Sequence, residues 1–226
     1  MYDENSSFYE TFYADGGWSY SFWREWWWHR KHFIRRFNIP RGAKVLEAAC
    51  GAGFHTNLFN RMGLRCIGVD ASETGIRWAR ECYPTRTYIC ADVRGELPLP
   101  AASFDVVVTR GCGLYHYDLA SPVAMETTPC LMRYLRPGGL LVLIIVTDLS
   151  GRKEEGKIWQ NTLEDYRDHF TTFTQQCTVD WHRGVAICAA WKPVDGSPSK
   201  PDQRRVTRTA AEVHPGGRPR CTTVRV

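Results

Sequence analysis

Three carboxylates lie at the ends of three successive apolar segments: Glu47 in KVLEA, Asp70 after RCIGV, and Asp92 just past RTYIC. Between the first two runs Ala49-Cys50-Gly51-Ala52-Gly53, a turn whose glycines let the backbone approach a ligand closely. The helix that follows such a turn offers unpaired N–H groups to an anion. A dinucleotide fingerprint needs a further glycine at position 56, where this chain has Thr56, so the spacing disfavours NAD or FAD. Asp70, with Ala71 behind it, is placed to accept hydrogen bonds from two ribose hydroxyls, and Asp92 with the Val93 N–H can grip an adenine edge. Taken singly, Asp70 or Asp92 could merely cap the next helix. Three acids in this order along one sheet describe a binding edge instead.

The elements that must position them read as an alternation from 44 to 150. Strands 44–48, 65–69, 86–90, 104–109 and 140–147 are separated by helices at about 54–62, 73–82 and 122–135, with Pro137-Gly138-Gly139 turning the chain into the last of these strands. Apolar strands separated by helices form a parallel sheet buried on both faces, a doubly wound α/β domain. After it a helix near 160–170 leads into 171–181 and 184–191, a hairpin turning at His182-Arg183, so an antiparallel strand ends the sheet. Before it, apolar positions 22, 23, 26, 27, 33, 34 and 37 predict one helix over about 20–37, with Trp23, Trp26 and Trp27 on its buried face. The domains expected are an aromatic arm and helix (1–40), a binding domain (41–194) and a basic, disordered tail (195–226).

The segments VLEAACGAG, GVDAS, CADV, FDVVVTRG and LRPGGLLVL resemble motifs I to III, the fourth strand and the turn before the fifth strand of class I S-adenosylmethionine-dependent methyltransferases. The resemblance covers about 44–191, hairpin included. It implies a Rossmann-like sheet and S-adenosylmethionine as cofactor. In that reading Glu47 organises the methionine end, Gly51 and Gly53 lie under the cofactor, Asp70 holds the ribose and Asp92 the adenine, with Ala71, Val93 and Arg110 beside them. Ala49 departs from the family, which commonly has glycine there; the extra methyl group tightens the pocket.

The reaction so implied is in-line displacement of the sulfonium methyl, dominated by positioning and desolvation, and requiring no metal. If the acceptor is a hydroxyl, His116, a few residues past the fourth strand, is the candidate base, the plainer reading being an imidazole that caps or packs the next helix. Tyr115 is its neighbour on the substrate side. Tyr13, Trp18 and Tyr20 flank the Gly16-Gly17 break and are expected to form an aromatic lid suited to a sulfonium or a flat substrate.

Composition narrows the function further. The chain has 226 residues, 43% hydrophobic and 13% aromatic, enough for one ordinary domain with a full core. The formal charge of +5 is concentrated in the last 32 residues, where seven Lys or Arg face three acids, so the body is nearly neutral and nucleic acid is disfavoured as a partner. Nine scattered cysteines without a C-x-x-C pair signal neither a disulfide framework nor a zinc site. No apolar run reaches the roughly 20 residues that span a bilayer, and no signal peptide opens the chain, so a cytoplasmic protein without membrane contact is expected. The leading expectation is methyl transfer to O or N of a small metabolite. The alternatives are a nucleic-acid or protein methyltransferase, against which Arg110-Gly111, with no Asn-Pro-Pro-Tyr-like tetrapeptide and no Pro-Cys nucleophile, follows the fourth strand, and a non-catalytic S-adenosylmethionine-binding module.

Overall fold

A computed structural model describes residues 6–15, 17–154 and 157–194. The basic tail expected at 195–226 and Gly16 of the predicted break lie outside the described residues.

The chain runs α1 (Ser6–Ala14), α2 (Phe22–His29), a π-helical segment (Arg30–Arg35), β1 (Lys44–Ala48), α3 (Phe54–Arg61), β2 (Arg65–Asp70), α4 (Glu73–Cys82), β3 (Thr87–Cys90), β4 (Phe104–Arg110), a 3-10 turn (Gly113–Tyr115), α5 (Pro122–Tyr134), β5 (Leu135–Val146), α6 (Leu163–Thr171), β6 (Cys177–His182) and β7 (Val185–Trp191). The seven strands form one sheet in the order β3-β2-β1-β4-β5-β7-β6. β1 to β5 are parallel, while β7 pairs antiparallel with both β5 and β6. Strand order reverses between β1 and β4, and at that switch point a cleft opens beyond the carboxyl ends.

Both faces of the sheet are covered, which explains the unbroken apolar strands. Leu46, Val107, Leu141, Leu143 and Cys188 face one layer with Tyr134 of α5 and Phe170 of α6. The alternate residues Val45, Val106, Val142, Ile144 and Ile187 face Phe33 and Phe59 on the other side. Helix starts are fixed by side-chain caps: Ser72 accepts from the Gly75 N–H, Ser121 from Ala124, and Thr162 with Asp165 forms a reciprocal capping box.

Several boundaries differ from the sequence reading. β5 begins at Leu135, directly after α5, because Lys192 and Gly138–Gly139 exchange main-chain hydrogen bonds that extend the sheet backwards. β6 starts only at Cys177, since α6 runs to Thr171. The hairpin turns on Arg183-Gly184, both with positive φ (48° and 86°), which matches the twist of the flanking strands. The predicted 20–37 helix is divided into α2 and the π-helical segment, and its inside face is not the tryptophan face. Trp23 and Trp27 are 67% and 62% exposed and Trp26 is half-buried, whereas Glu25, His29 and Phe33 point inward. Helix α1 was not anticipated; it packs on α4, where Glu10 accepts a hydrogen bond from the Thr74 N–H at 3.0 Å.

Candidate active site

The cleft at the strand ends is a cavity of about 560 Å³, within the size range of cofactor pockets. Its floor is the loop after β1. Ala49, Gly51 and Gly53 all have positive φ (58°, 52° and 76°), so this loop coils tightly beneath the cleft, the Cys50 N–H donating to the Val69 carbonyl and the Gly53 N–H to that of Cys50. Gly51 donates its N–H to Asp70 Oδ2 at 2.8 Å, and the Ser72 N–H reaches Asp70 Oδ1 at 2.9 Å. The β2 carboxylate is thus locked against the β1 loop. Burial raises the Asp70 pKa above the usual carboxylate range, an effect those backbone donors only partly offset.

Glu47 is 2% exposed and accepts a hydrogen bond from the Thr56 hydroxyl of α3. Burial pushes its pKa up to about 8, so the ligand-free site holds it mainly protonated at neutral pH. Asp92 is engaged by Arg94, whose Nε and terminal nitrogen sit 3.0 and 2.7 Å from Oδ2 and whose main-chain N–H lies 2.9 Å from Oδ1. That contact holds Asp92 below the ordinary range.

The roof comes from the N-terminal segment. Tyr13 is buried against Gly51 and Gly75, Trp18 is 68% exposed at the mouth, and Tyr20 stacks its ring under the Arg110 guanidinium at 5.1 Å. His116 also lines the wall, with Nε2 buried and without a hydrogen-bond partner. Burial lowers its pKa to about 4, so the imidazole is neutral.

Of the residues singled out from sequence, Glu47, Ala49, Gly51, Asp70, Ala71, Asp92, Val93, Arg110, Tyr13, Trp18, Tyr20 and His116 all line this cavity. Gly53 and Tyr115 do not. Gly53 is the left-handed residue that starts α3, capped by Tyr88, whose hydroxyl donates to the Gly53 carbonyl at 3.3 Å. Tyr115 is 1% exposed and turned into the core, where its hydroxyl meets Thr128 Oγ1 at 2.9 Å; Thr128 in turn contacts His169 Nε2 at 2.7 Å. The sequence reading missed Phe54 and His55, although they directly follow Gly53 on the first turn of α3, and Val146 at the end of β5 with Ile158 from the segment after it, which also line the cavity. It also missed a buried cluster beside the cavity, Glu25, His29 and His55, because metal ligands were sought among the cysteines.

A glycine loop under a switch-point cleft, with acids at the ends of β1, β2 and just past β3, defines a nucleoside-binding domain of the doubly wound class. Residues 46–143 match the family model described as a methyltransferase domain. A probable S-adenosylmethionine-dependent methyltransferase of Mycolicibacterium smegmatis is 37% identical over 119 residues, 51% of this chain and 44% of the relative. A malonyl-[acyl-carrier protein] O-methyltransferase of Serratia marcescens is 28% identical over 152 residues, 67% of this chain and 54% of the relative. Among solved structures, a Haemonchus contortus phosphoethanolamine N-methyltransferase, in complex with S-adenosylhomocysteine, superposes with a TM-score of 0.58 at 18% identity, covering 74% of this chain and 53% of that one. Over residues 46–143 the chain is thus similar to S-adenosylmethionine-dependent methyltransferases, proteins whose cofactor is S-adenosylmethionine. It spans about half the length of the curated relatives it matches.

Proposed function

We propose that this protein transfers a methyl group from S-adenosylmethionine to an oxygen or nitrogen of a small acceptor. The observation that carries the reading is a single cavity holding both halves of such a site: carboxylates and a tight glycine loop at one end, a neutral imidazole and aromatic rings at the other. The residues fit the cofactor. A side chain at Gly51 would collide with Tyr13, so the glycine is what lets the roof close directly on the loop.

Bound there, the cofactor supplies an electrophilic methyl group. Glu47 orients its methionine end, Asp70 accepts from the ribose hydroxyls while staying anchored to Gly51, and the Val93 N–H with Asp92 meets the adenine once Arg94 shares the carboxylate. Tyr13 and Tyr20 close the site against water, which strengthens every polar contact inside it. His116 takes the proton from an acceptor hydroxyl or amine at Nε2. The eight described cysteines are all free thiols, which supports a reducing, cytoplasmic setting. Among the described residues no helix is long and apolar enough to cross a membrane.

Incubating the purified protein with methyl-labelled S-adenosylmethionine and fractionated metabolite extract tests the proposal. Label should move to a small product with stoichiometric S-adenosylhomocysteine. Tight cofactor binding with no transfer across broad extracts would favour the non-catalytic reading, and transfer only to protein or RNA would replace the acceptor class.

A further inference from the structure

Methyl transfer leaves the cluster beside the cavity unexplained. Glu25 and His29 sit four residues apart on α2, hence on one helix face, and His55 faces them from the first turn of α3. Their exposures are 5%, 0% and 5%. Two buried ionisable side chains on the inner face of a helix that leaves two tryptophans in solvent, and a third facing them from α3, carry a desolvation cost, which demands a compensating partner.

The hydrogen bonds in place do not complete the cluster. His29 Nδ1 lies 2.9 Å from the Glu25 main-chain carbonyl. A carbonyl only accepts, so Nδ1 carries the hydrogen and Nε2 the lone pair. That lone pair is buried and has no partner. An imidazole tied by one nitrogen to a main-chain carbonyl with its other nitrogen bare has the outer-shell arrangement of a metal-bound histidine. His55 Nε2 is 3.3 Å and His29 Nδ1 3.6 Å from Glu25 Oε2, and one ligand atom from each residue, either ring nitrogen serving for a histidine, lies within 4.8 Å of the others.

We propose that Glu25, His29 and His55 form a binding site for one divalent transition-metal ion that fastens α2 to α3. Two imidazole nitrogens and one carboxylate oxygen suit Zn²⁺ or its first-row neighbours rather than Mg²⁺ or Ca²⁺. Binding needs no net proton loss, because His55 can move its hydrogen from Nε2 to Nδ1. The guanidinium of Arg110 has a part in the exchange. Its terminal nitrogen lies 3.3 Å from Glu25 Oε2, so in the metal-free protein it helps neutralise that carboxylate. An ion on Glu25 takes over that task and repels Arg110 toward the cavity it lines, linking metal occupancy to the site without placing the ion in the reaction.

The test uses the full chain, treated with a chelator and then titrated with Zn²⁺ or Co²⁺ alone. The expected result is one equivalent bound, a rise in Tm, and a Co²⁺ absorption spectrum of nitrogen and oxygen ligation. His29→Gln and His55→Gln should each weaken binding by at least about 100-fold while far-UV circular dichroism and cooperative thermal unfolding report an intact fold. Replacing His32 and His182, stacked at 4.3 Å elsewhere on the molecule, should leave the affinity unchanged. Absence of binding by the unmodified chain would overturn the proposal, and so would a thiolate charge-transfer band with Co²⁺ or full affinity in the doubly substituted His29→Gln/His55→Gln protein. The wild-type spectrum decides the matter even if the variants fold poorly.

Discussion

The ring of Tyr13 covers Gly51 so closely that a methyl group on that glycine would lie 2.8 Å from the tyrosine Cζ and closer still to its hydroxyl. An element outside the sheet thereby closes the loop on which the cofactor reading rests. Gly51→Ala should be doubly penalised. Its φ of 52° costs an L-residue about 1–2 kcal/mol, and Tyr13 must leave its buried position. Calorimetry should show loss of S-adenosylhomocysteine binding together with a lower Tm. Adding Tyr13→Ala should recover the steric part only, since the backbone penalty stays. Full recovery would mean the φ is not strained.

Ala49 makes the converse case. It adopts φ 58°, a left-handed conformation that its Cβ disfavours. Ala49→Gly should therefore stabilise the chain by up to about 1 kcal/mol, raising Tm by about 2–4 °C for a protein of this size. Destabilisation would show that the methyl group contributes more in packing than it costs in strain.

Much of this site was legible because its signals are local. Apolar strands, a glycine turn and an acid at each strand end are fixed by residue type and order, and Glu47, Asp70 and Asp92 came together as expected. Orientation across a short turn is not local. Tyr115 and His116 are neighbours, yet the 3-10 turn aims one into the core and the other into the cavity, and only the positions of Thr128 and His169 decide which.

The tryptophan helix failed for a related reason: periodicity shows that a face exists but not which side the core takes when the opposite stripe holds Glu25, His29 and Phe33. Trp27→Ser, at 62% exposure, should shift stability by no more than about 0.5 kcal/mol, whereas Phe33→Ala, fully buried, should cost about 3–5 kcal/mol. Chemical denaturation of both variants checks this. Equal losses would restore the tryptophans to the core.

Glu47 gives the ligand-free protein a defined pH dependence. Its pKa of about 8 in the fold exceeds the ordinary value of 4.5, so the folded state binds a proton that the unfolded chain releases. The associated stability is complete below the unfolded value and is lost as pH rises through about 8. Glu47→Gln should flatten that fall in Tm. A cationic ligand at this end favours the ionised carboxylate, so S-adenosylmethionine affinity should rise with pH, by at most about tenfold per unit, and level off above about 8. Calorimetry in two buffers of different ionisation enthalpy counts the proton released. No proton release would remove Glu47 from contact with the ligand.

His116 can be tested on the same principle with the opposite sign. Burial lowers its pKa to about 4, so the basic form is present throughout the physiological range. If Nε2 takes the acceptor's proton, kcat should be flat from about pH 6 to 9 and fall only as pH drops toward 4, because protonation removes the lone pair. So low a pKa makes a weak base, which suits an acceptor whose proton becomes acidic as its bond to the methyl carbon forms. His116→Gln keeps a polar group of similar size and leaves the main-chain carbonyl that accepts from the Trp159 N–H at 2.9 Å. It should lower kcat by about 10²-fold or more with cofactor affinity unchanged. A loss of less than tenfold would mean the acceptor arrives already deprotonated, with His116 serving only to line the wall.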